Sequence, residues 1–242
     1  MLETNKGKIA KRVIEVFEYF DEEHPRATVM DIARRYGRPQ SSTSELLSSL
    51  VAMGFLYKDR RRRAYTPTAR VAMLGACVQP ELLRDRTLLS RMDILAKSAN
   101  CCVSLLGMVG THVQIYRWVK APNWPGKPLA SGTSAPLSES VGGMLLLAAQ
   151  PREYCRGLLW RINAEASDSR KFRYAEALDR VQRYAQEGWG VGPSGFDEQV
   201  DMIALLLPHT GDERPLVLAL SFERCQAVNV DALLGMMRAS II

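Results

Sequence analysis

Four consecutive arginines, Arg60 to Arg63, stand between two short apolar, aromatic segments, Phe55-Leu56-Tyr57 and Ala64-Tyr65-Thr66. Like charges in a row repel one another and rarely pack, so such a run is either a solvated loop or a tip pressed against a polyanion. Other reactive side chains are scattered. His24, His112 and His209 have no metal-ligand spacing. The five cysteines, Cys77, Cys101, Cys102, Cys155 and Cys225, are odd in number and lack a C-x-x-C pair. Adjacent Cys101 and Cys102 fall in the apolar run CCVSLLGMV, which predicts buried, reduced thiols rather than a redox sensor. Gly192-Pro193-Ser194-Gly195 is not a G-x-S-x-G elbow, and Gly188-Trp189-Gly190-Val191-Gly192 is not followed by a helix, so it fails as a dinucleotide loop. Glu198 and Asp201, three apart, have acid–base spacing, but carboxylates so placed are far more often solvated or capping. No nucleophile, base and orienting group form a set. The sequence therefore predicts no catalytic residue, no metal and no cofactor.

The arginine run gains meaning from what precedes it. Of the 242 residues, the first 75 hold fourteen of the 32 lysines and arginines but nine of the 26 acidic residues, so +5 of the net charge of +6 lies in the first third. A basic head on a neutral body points to nucleic acid or a membrane surface. The longest apolar stretch, Val141 to Ala149, is far too short to cross a bilayer, and residues 1–20 lack a signal-peptide core and cleavage site. A cytoplasmic protein without membrane contact is expected.

Periodicity predicts three helices in the head. Ile9, Val13, Val16, Phe17 and Phe20 make one apolar stripe, ended by a polar turn at Pro25. Thr28, with Asp31 three positions on, is an N-cap signal for TVMDIARRY, and Gly37 a left-handed stop. After Gly37-Arg38-Pro39 comes QSSTSELLSSLVAMG, with Leu46, Leu47, Leu50, Val51 and Met53 apolar and a first turn of small polar residues. Two short helices joined by a glycine turn, the second opening in groups that hydrogen-bond phosphates and base edges, make the helix-turn-helix pattern. Phe55 to Thr66 then supply a two-stranded wing with the arginines at its tip.

Thr28 to Tyr65 resembles the DNA-binding head of the IclR family of bacterial transcriptional regulators: the Gly37-x-Pro39 turn, the Ser41-Ser42 pair, the Leu46-Leu47…Leu50…Gly54-Phe55-Leu56 core, and Tyr65-x-Pro67-Thr68 leading to a linker helix. More loosely, residues 136–153 and 189–222 are similar to the family's glycine-containing helix and closing strands, so the likeness covers nearly the whole chain. There are departures. Glu45 stands where the family usually has a basic or aromatic residue; it would repel phosphate unless it accepts from a cytosine amino group or pairs with a neighbouring arginine. Met144, Leu145 and Leu220 also differ from the usual types.

The remainder reads as α+β. Residues 68–99 have helical spacing, through Leu82, Leu88, Leu89, Met92, Leu95 and Ala99. CCVSLLGMVG, THVQIYRWVK, MIALLLP and PLVLALSF read as strands, with helices at about 141–150, 151–162 and 172–187 and from Val230. An antiparallel sheet with packed helices is predicted. The resemblance implies a GAF-like effector-binding domain, giving a winged helix-turn-helix at 1–70, a linker helix region at 71–98 and an effector domain at 99–242. Ser140, Val141, Gly142 and Gly143 open a helix whose free N–H groups suit a carboxylate, although the glycines equally suit close helix–sheet packing. The resemblance extends a pocket to Ile203, Leu205 and Ser221.

The expected function is a ligand-responsive transcriptional regulator, a homodimer or tetramer on a duplex operator. Thr28, Arg38, Gln40, Ser41, Ser42 and Ser44 are the candidate DNA contacts on the helix-turn-helix, with Arg60, Arg61, Arg62 and Arg63 on phosphates or the minor groove. The expected effector is a small, apolar or aromatic organic acid. Two other classes remain: a protein-interaction module using the winged helix for contacts other than DNA, and a small-molecule enzyme with a basic accessory domain.

Overall fold

The computed structural model describes residues 5–21, 24–59, 61–75, 87–209 and 214–241. The chain divides into two units, Met1–Gln79 and Pro80–Ile242.

In the first unit, helix α1 (Asn5–Glu18) precedes α2 (Val29–Tyr36) and α3 (Gln40–Ala52), followed by strands β1 (Leu56–Asp59) and β2 (Ala64–Pro67) and helix α4 (Ala69–Gly75). Helix α2 starts where Thr28 caps it: the Thr28 hydroxyl accepts from Asp31 N–H, and the Asp31 carboxylate accepts from Thr28 N–H at 2.8 Å. These donated bonds hold the Asp31 carboxyl below its ordinary range. The helix stops at Gly37, which takes the left-handed conformation at φ +61° that a side chain disfavours. Val16, Ile32, Leu47, Leu50, Leu56 and Tyr65 form the core, one or two residues from each of α1, α2, α3, β1 and β2. Strands β1 and β2 pair antiparallel, with Leu56 opposite Pro67 and Asp59 opposite Ala64. Ala27 and Tyr65 exchange both main-chain hydrogen bonds, at 3.0 and 2.7 Å, tying the approach to α2 onto the wing.

The second unit begins at α5 (Thr87–Ala99). It continues with β3 (Cys102–Val109), β4 (His112–Val119), β5 (Ser134–Pro136), α6 (Val141–Ala148), α7 (Arg152–Glu165), α8 (Tyr174–Glu187), β6 (Trp189–Pro193), β7 (Val200–Leu206), β8 (Val217–Glu223) and α9 (Val230–Ala239). Six strands form one sheet in the order β5-β4-β3-β8-β7-β6, and every adjacent pair is antiparallel. The sheet is buried on both faces. Leu106, Ile115, Met202, Ala204, Val217 and Ala219 pack with residues of α6, α7 and α8. Val103, Leu105, Ile203, Leu205, Leu218 and Leu220 pack with residues of α5 and α9. Period-two alternation makes this division, and it explains why the central strands read as unbroken apolar runs.

Residues 68–99, expected as helix, hold α4 and α5, with residues 76–86 outside the described residues. One reading of the sequence is modified. Trp189–Pro193, rich in glycine, is nevertheless strand β6. It lies at the sheet edge, where proline and glycine are tolerated. There Gly190 lies under the Tyr184 ring, in space that a side chain of its own would need.

Helix α6 is buried on every side and reaches the sheet through its glycines. A Cβ on Gly143 would stand 2.7 Å from Leu137 Cα, and one on Gly142 would run into the Leu106 side chain. Replacing Gly143 with alanine forces main chain apart and should destabilise the second unit by about 1–3 kcal/mol, read from denaturant melts. An unchanged midpoint would show that the helix can slide off Leu137 without cost.

Candidate nucleic-acid interface and interior polar face

Pro39, the N-cap of α3, has no side-chain hydrogen bond to offer the helix, whose first intrahelical donor is Thr43 N–H to Pro39 C=O. The opening of α3 is instead fixed from α1. Arg38 donates to Glu15 at 2.8 Å, and Arg12 donates to the Ser42 hydroxyl at 3.1 Å. Thr43 is buried and its hydroxyl returns to Pro39 C=O at 2.8 Å. What α3 presents outward is Gln40, Ser41, Glu45, Ser48 and Ser49, all exposed, with Ser44 half-buried beside them. The Gln40 amide rests against Met30 Sδ.

The candidate DNA contacts thus fall into two groups. Gln40, Ser41 and Ser44 lie on the outward side of α3. Thr28, Arg38 and Ser42 are engaged inside the unit: Thr28 in the α2 cap, Arg38 on Glu15, Ser42 under Arg12. Sequence reading missed Arg12 and Glu15, because those interactions span 30 and 23 residues. It also passed over Arg34 and Arg35, exposed in the last turn of α2.

At the wing, the Asp59 carboxylate accepts from Arg61 N–H at 2.9 Å and Arg62 N–H at 3.1 Å. Arg63 takes a left-handed φ of +51°. That Asx-type turn consumes the one nearby carboxylate on main-chain donors and leaves Arg61, Arg62 and Arg63 exposed. Arg62 Nε is 4.0 Å from Asp59, too loose and too exposed an ion pair to hold it. Arg60 lies outside the described residues. Arg70 is not part of this cationic tip: it donates to Met53 C=O at 3.0 Å and stacks on Phe55.

In the second unit, the Ser140 hydroxyl caps α6, accepting from Gly143 N–H at 3.4 Å. Val141, Gly142 and Gly143 are buried there, and a Cβ on Gly142 would lie 3.7 Å from Met202 Sδ. Met202 pairs with Ser221, which pairs with Cys102. By alternation Ser104 and Ser221 point to the α6 face. Their exposures are 2% and 5%, and neither hydroxyl meets a hydrogen-bond partner among the described residues. Ser140 to Gly143 and Ser221 are therefore on one side of the sheet. Ile203 and Leu205 are on the other, packed against α5 and α9. A single pocket does not draw on both faces. Ser104, which the sequence reading did not single out, was legible as a lone polar residue in the run CCVSLLGMV.

Asp201 and Ser194 have structural uses. Asp201 accepts from Arg224 at 2.9 Å, and Ser194 closes a turn by accepting from Phe196 and Asp197 N–H groups. Among the described residues no cluster of metal-ligating side chains occurs, and no helix is long and apolar enough to cross a membrane.

The family model of the IclR helix-turn-helix domain matches residues 10–60, from α1 to the wing. The transcriptional regulator TsaQ1/TsaQ2 of Comamonas testosteroni is 26% identical over 187 residues, 75% of this chain. Residues 10–60 carry an IclR-type helix-turn-helix domain. The chain spans 66% of that relative's length. Solved IclR structures share the fold across both units. The IclR regulator of Alicyclobacillus acidocaldarius superposes with a TM-score of 0.62 at 17% identity, covering 98% of this chain and 96% of that one. An IclR homologue from Microbacterium hydrocarbonoxydans, solved with 4-hydroxybenzoate, gives 0.58 at 18% identity, covering 96% and 95%. The relatives are IclR-family transcriptional regulators, which agrees with the lack of a catalytic set in the sequence.

The buried thiols are inert packing groups. Burial pushes the Cys102 thiol up to about 11, and raises Cys101 and Cys155 as well. Near neutral pH they stay protonated. Native protein treated with a maleimide should therefore be modified at exposed Cys225 and spared at Cys101, Cys102 and Cys155. Peptide mapping that found rapid labelling of Cys102 would refute this.

Proposed function

We propose that this protein is a ligand-responsive transcriptional regulator that binds a duplex operator through α3 and the wing. Its operator affinity is set by a small organic acid held on the α6 face of the carboxy-terminal sheet. The observation that carries the first half is the layout of the head. An outward helix face of small polar side chains stands in a unit whose Arg61, Arg62 and Arg63 are solvent-facing. Gln40, Ser41 and Ser44 read base edges in the major groove, while the wing arginines, Arg60 included, meet phosphates or the adjacent minor groove. Thr28, Arg38 and Ser42 support this reading indirectly, by fixing where α3 begins. Two half-sites need two heads, so the regulator works as a homodimer or a tetramer.

The second half rests on Ser104 and Ser221. Their hydroxyls face α6 and make no hydrogen bond among the described residues, so they are open to a ligand's oxygen. An acid would place its carboxylate or hydroxyl there, with its apolar body against Met144 and Met202. The free N–H groups at the start of α6 supply further donors. The 4-hydroxybenzoate bound by the Microbacterium homologue has this chemistry. Ligand occupancy couples to DNA affinity by favouring one arrangement of the dimer over another.

Two measurements test the two halves separately. Each neutralised phosphate contributes about −0.9 to the slope of log affinity against log salt. Replacing Arg61, Arg62 and Arg63 with alanine should weaken binding to all duplexes and flatten the slope by about one unit for each phosphate no longer neutralised. An unchanged slope returns the run to a solvated loop. For the effector, a thermal-shift panel of aromatic and short aliphatic acids should stabilise the wild type, aromatic acids most, with the effect abolished in Ser221→Val. Stabilisation by only the most polar acids, or an undiminished shift in the variant, would overturn the assignment.

A further inference from the structure

Helix α3 contains no lysine or arginine, and its single charged residue is Glu45. On a helix facing a polyanion, that carboxylate is repelled by every phosphate it nears. Two circumstances would remove the penalty: a neighbouring arginine could neutralise it, or a donor on the DNA could meet it. The geometry answers the first. Arg38, the arginine nearest α3 in sequence, is committed to Glu15, and Arg12, which reaches α3 from α1, is committed to Ser42. Among the described residues the Glu45 carboxylate has no ion pair and no hydrogen bond; Ser49 uses only the Glu45 main-chain carbonyl, at 2.9 Å. Glu45 is exposed, one helical turn from exposed Ser41 and from exposed Ser48 and Ser49. All three neighbours are short, so the glutamate reaches past them.

We propose that Glu45 is a specificity-determining residue that accepts a hydrogen bond from the 4-amino group of a cytosine in the major groove, once in each half-site. This rests on the DNA-binding reading above. The chemistry selects the base. Guanine offers O6 and N7 and thymine O4, all acceptors that repel a carboxylate. Adenine offers an amino group, but its N7 acceptor stands beside it. Cytosine alone presents a donor with no acceptor of its own on the same edge. Glu45 thus acts in two directions, rejecting generic backbone contact and rewarding one base pair, which is how discrimination is built from a difference of affinities.

The test selects tight binders from a randomised duplex pool with the full-length chain, using wild type, Glu45→Gln and Glu45→Ala. Wild type should select a C·G pair at one fixed position per half-site, with about a 10- to 100-fold loss when it is replaced. Glu45→Gln, which can offer adenine both a donor and an acceptor, should shift that position to A·T. Glu45→Ala should lose preference there alone and bind random duplex more tightly at low salt. Selection of the same sequences by all three proteins would overturn the assignment while leaving DNA binding intact. Failure of all three, wild type included, to bind any duplex at low salt would overturn the DNA-binding reading itself, and this inference with it.

Discussion

The reading helix α3 starts at a proline with no side chain to cap it, so its position is fixed by residues far away in sequence. Glu15 on α1 holds Arg38 just before that start, and Arg12, one turn earlier on α1, holds Ser42 within the first turn. The Glu15–Arg38 pair is half-shielded from water, with the glutamate side chain 14% exposed. Through these two interactions α1 sets the angle at which α3 emerges. The apolar core of Val16, Ile32, Leu47 and Leu50 then keeps the helix from rolling. What remains outward is a face of short polar side chains around one glutamate.

Charge is divided between elements accordingly. The reading helix carries no cation, whereas the wing and the end of α2 carry exposed arginines. On the proposed reading, long-range attraction and base reading fall to different parts of one small unit: attraction to groups that cannot distinguish sequences, and discrimination to groups that attract weakly or not at all. The two arginines inside the unit are held by side chains of α1 and α3, so they do not confuse the division.

The carboxy-terminal sheet solves a different problem. It is covered on both faces, yet the two faces differ. The α5–α9 side is filled with large aliphatic residues such as Ile203, Leu205, Leu218 and Leu220. The α6 side sets Ser104, Ala204, Ala219 and Ser221 among larger residues such as Leu106, Ile115, Met202 and Val217, beneath a helix brought close by Gly142 and Gly143. The hydroxyls give that face a hydrogen-bonding capacity that the other lacks.

The head was legible because its signals are local: a cap at Thr28, a left-handed stop at Gly37, 3.6-residue stripes, and a charged run between two short β segments all act within a few residues. The family likeness came from the same stretch. The antiparallel sheet and most of its helices followed from apolar periodicity. Edge strand β6 did not, since its glycines and proline are acceptable only because a neighbouring strand and the Tyr184 ring lie against them. The division of faces was equally hidden: strands covered on both faces lack clean alternation, so Ile203 and Leu205 looked no different from Met202 and Ala204. Which cations are free and which are spent is likewise decided by partners 23 and 30 residues apart in the chain. Sequence by itself determined the elements and where the charge lies along them; only the packed structure decided which side each residue faces, because burial and pairing depend on neighbours brought together from distant parts of the chain.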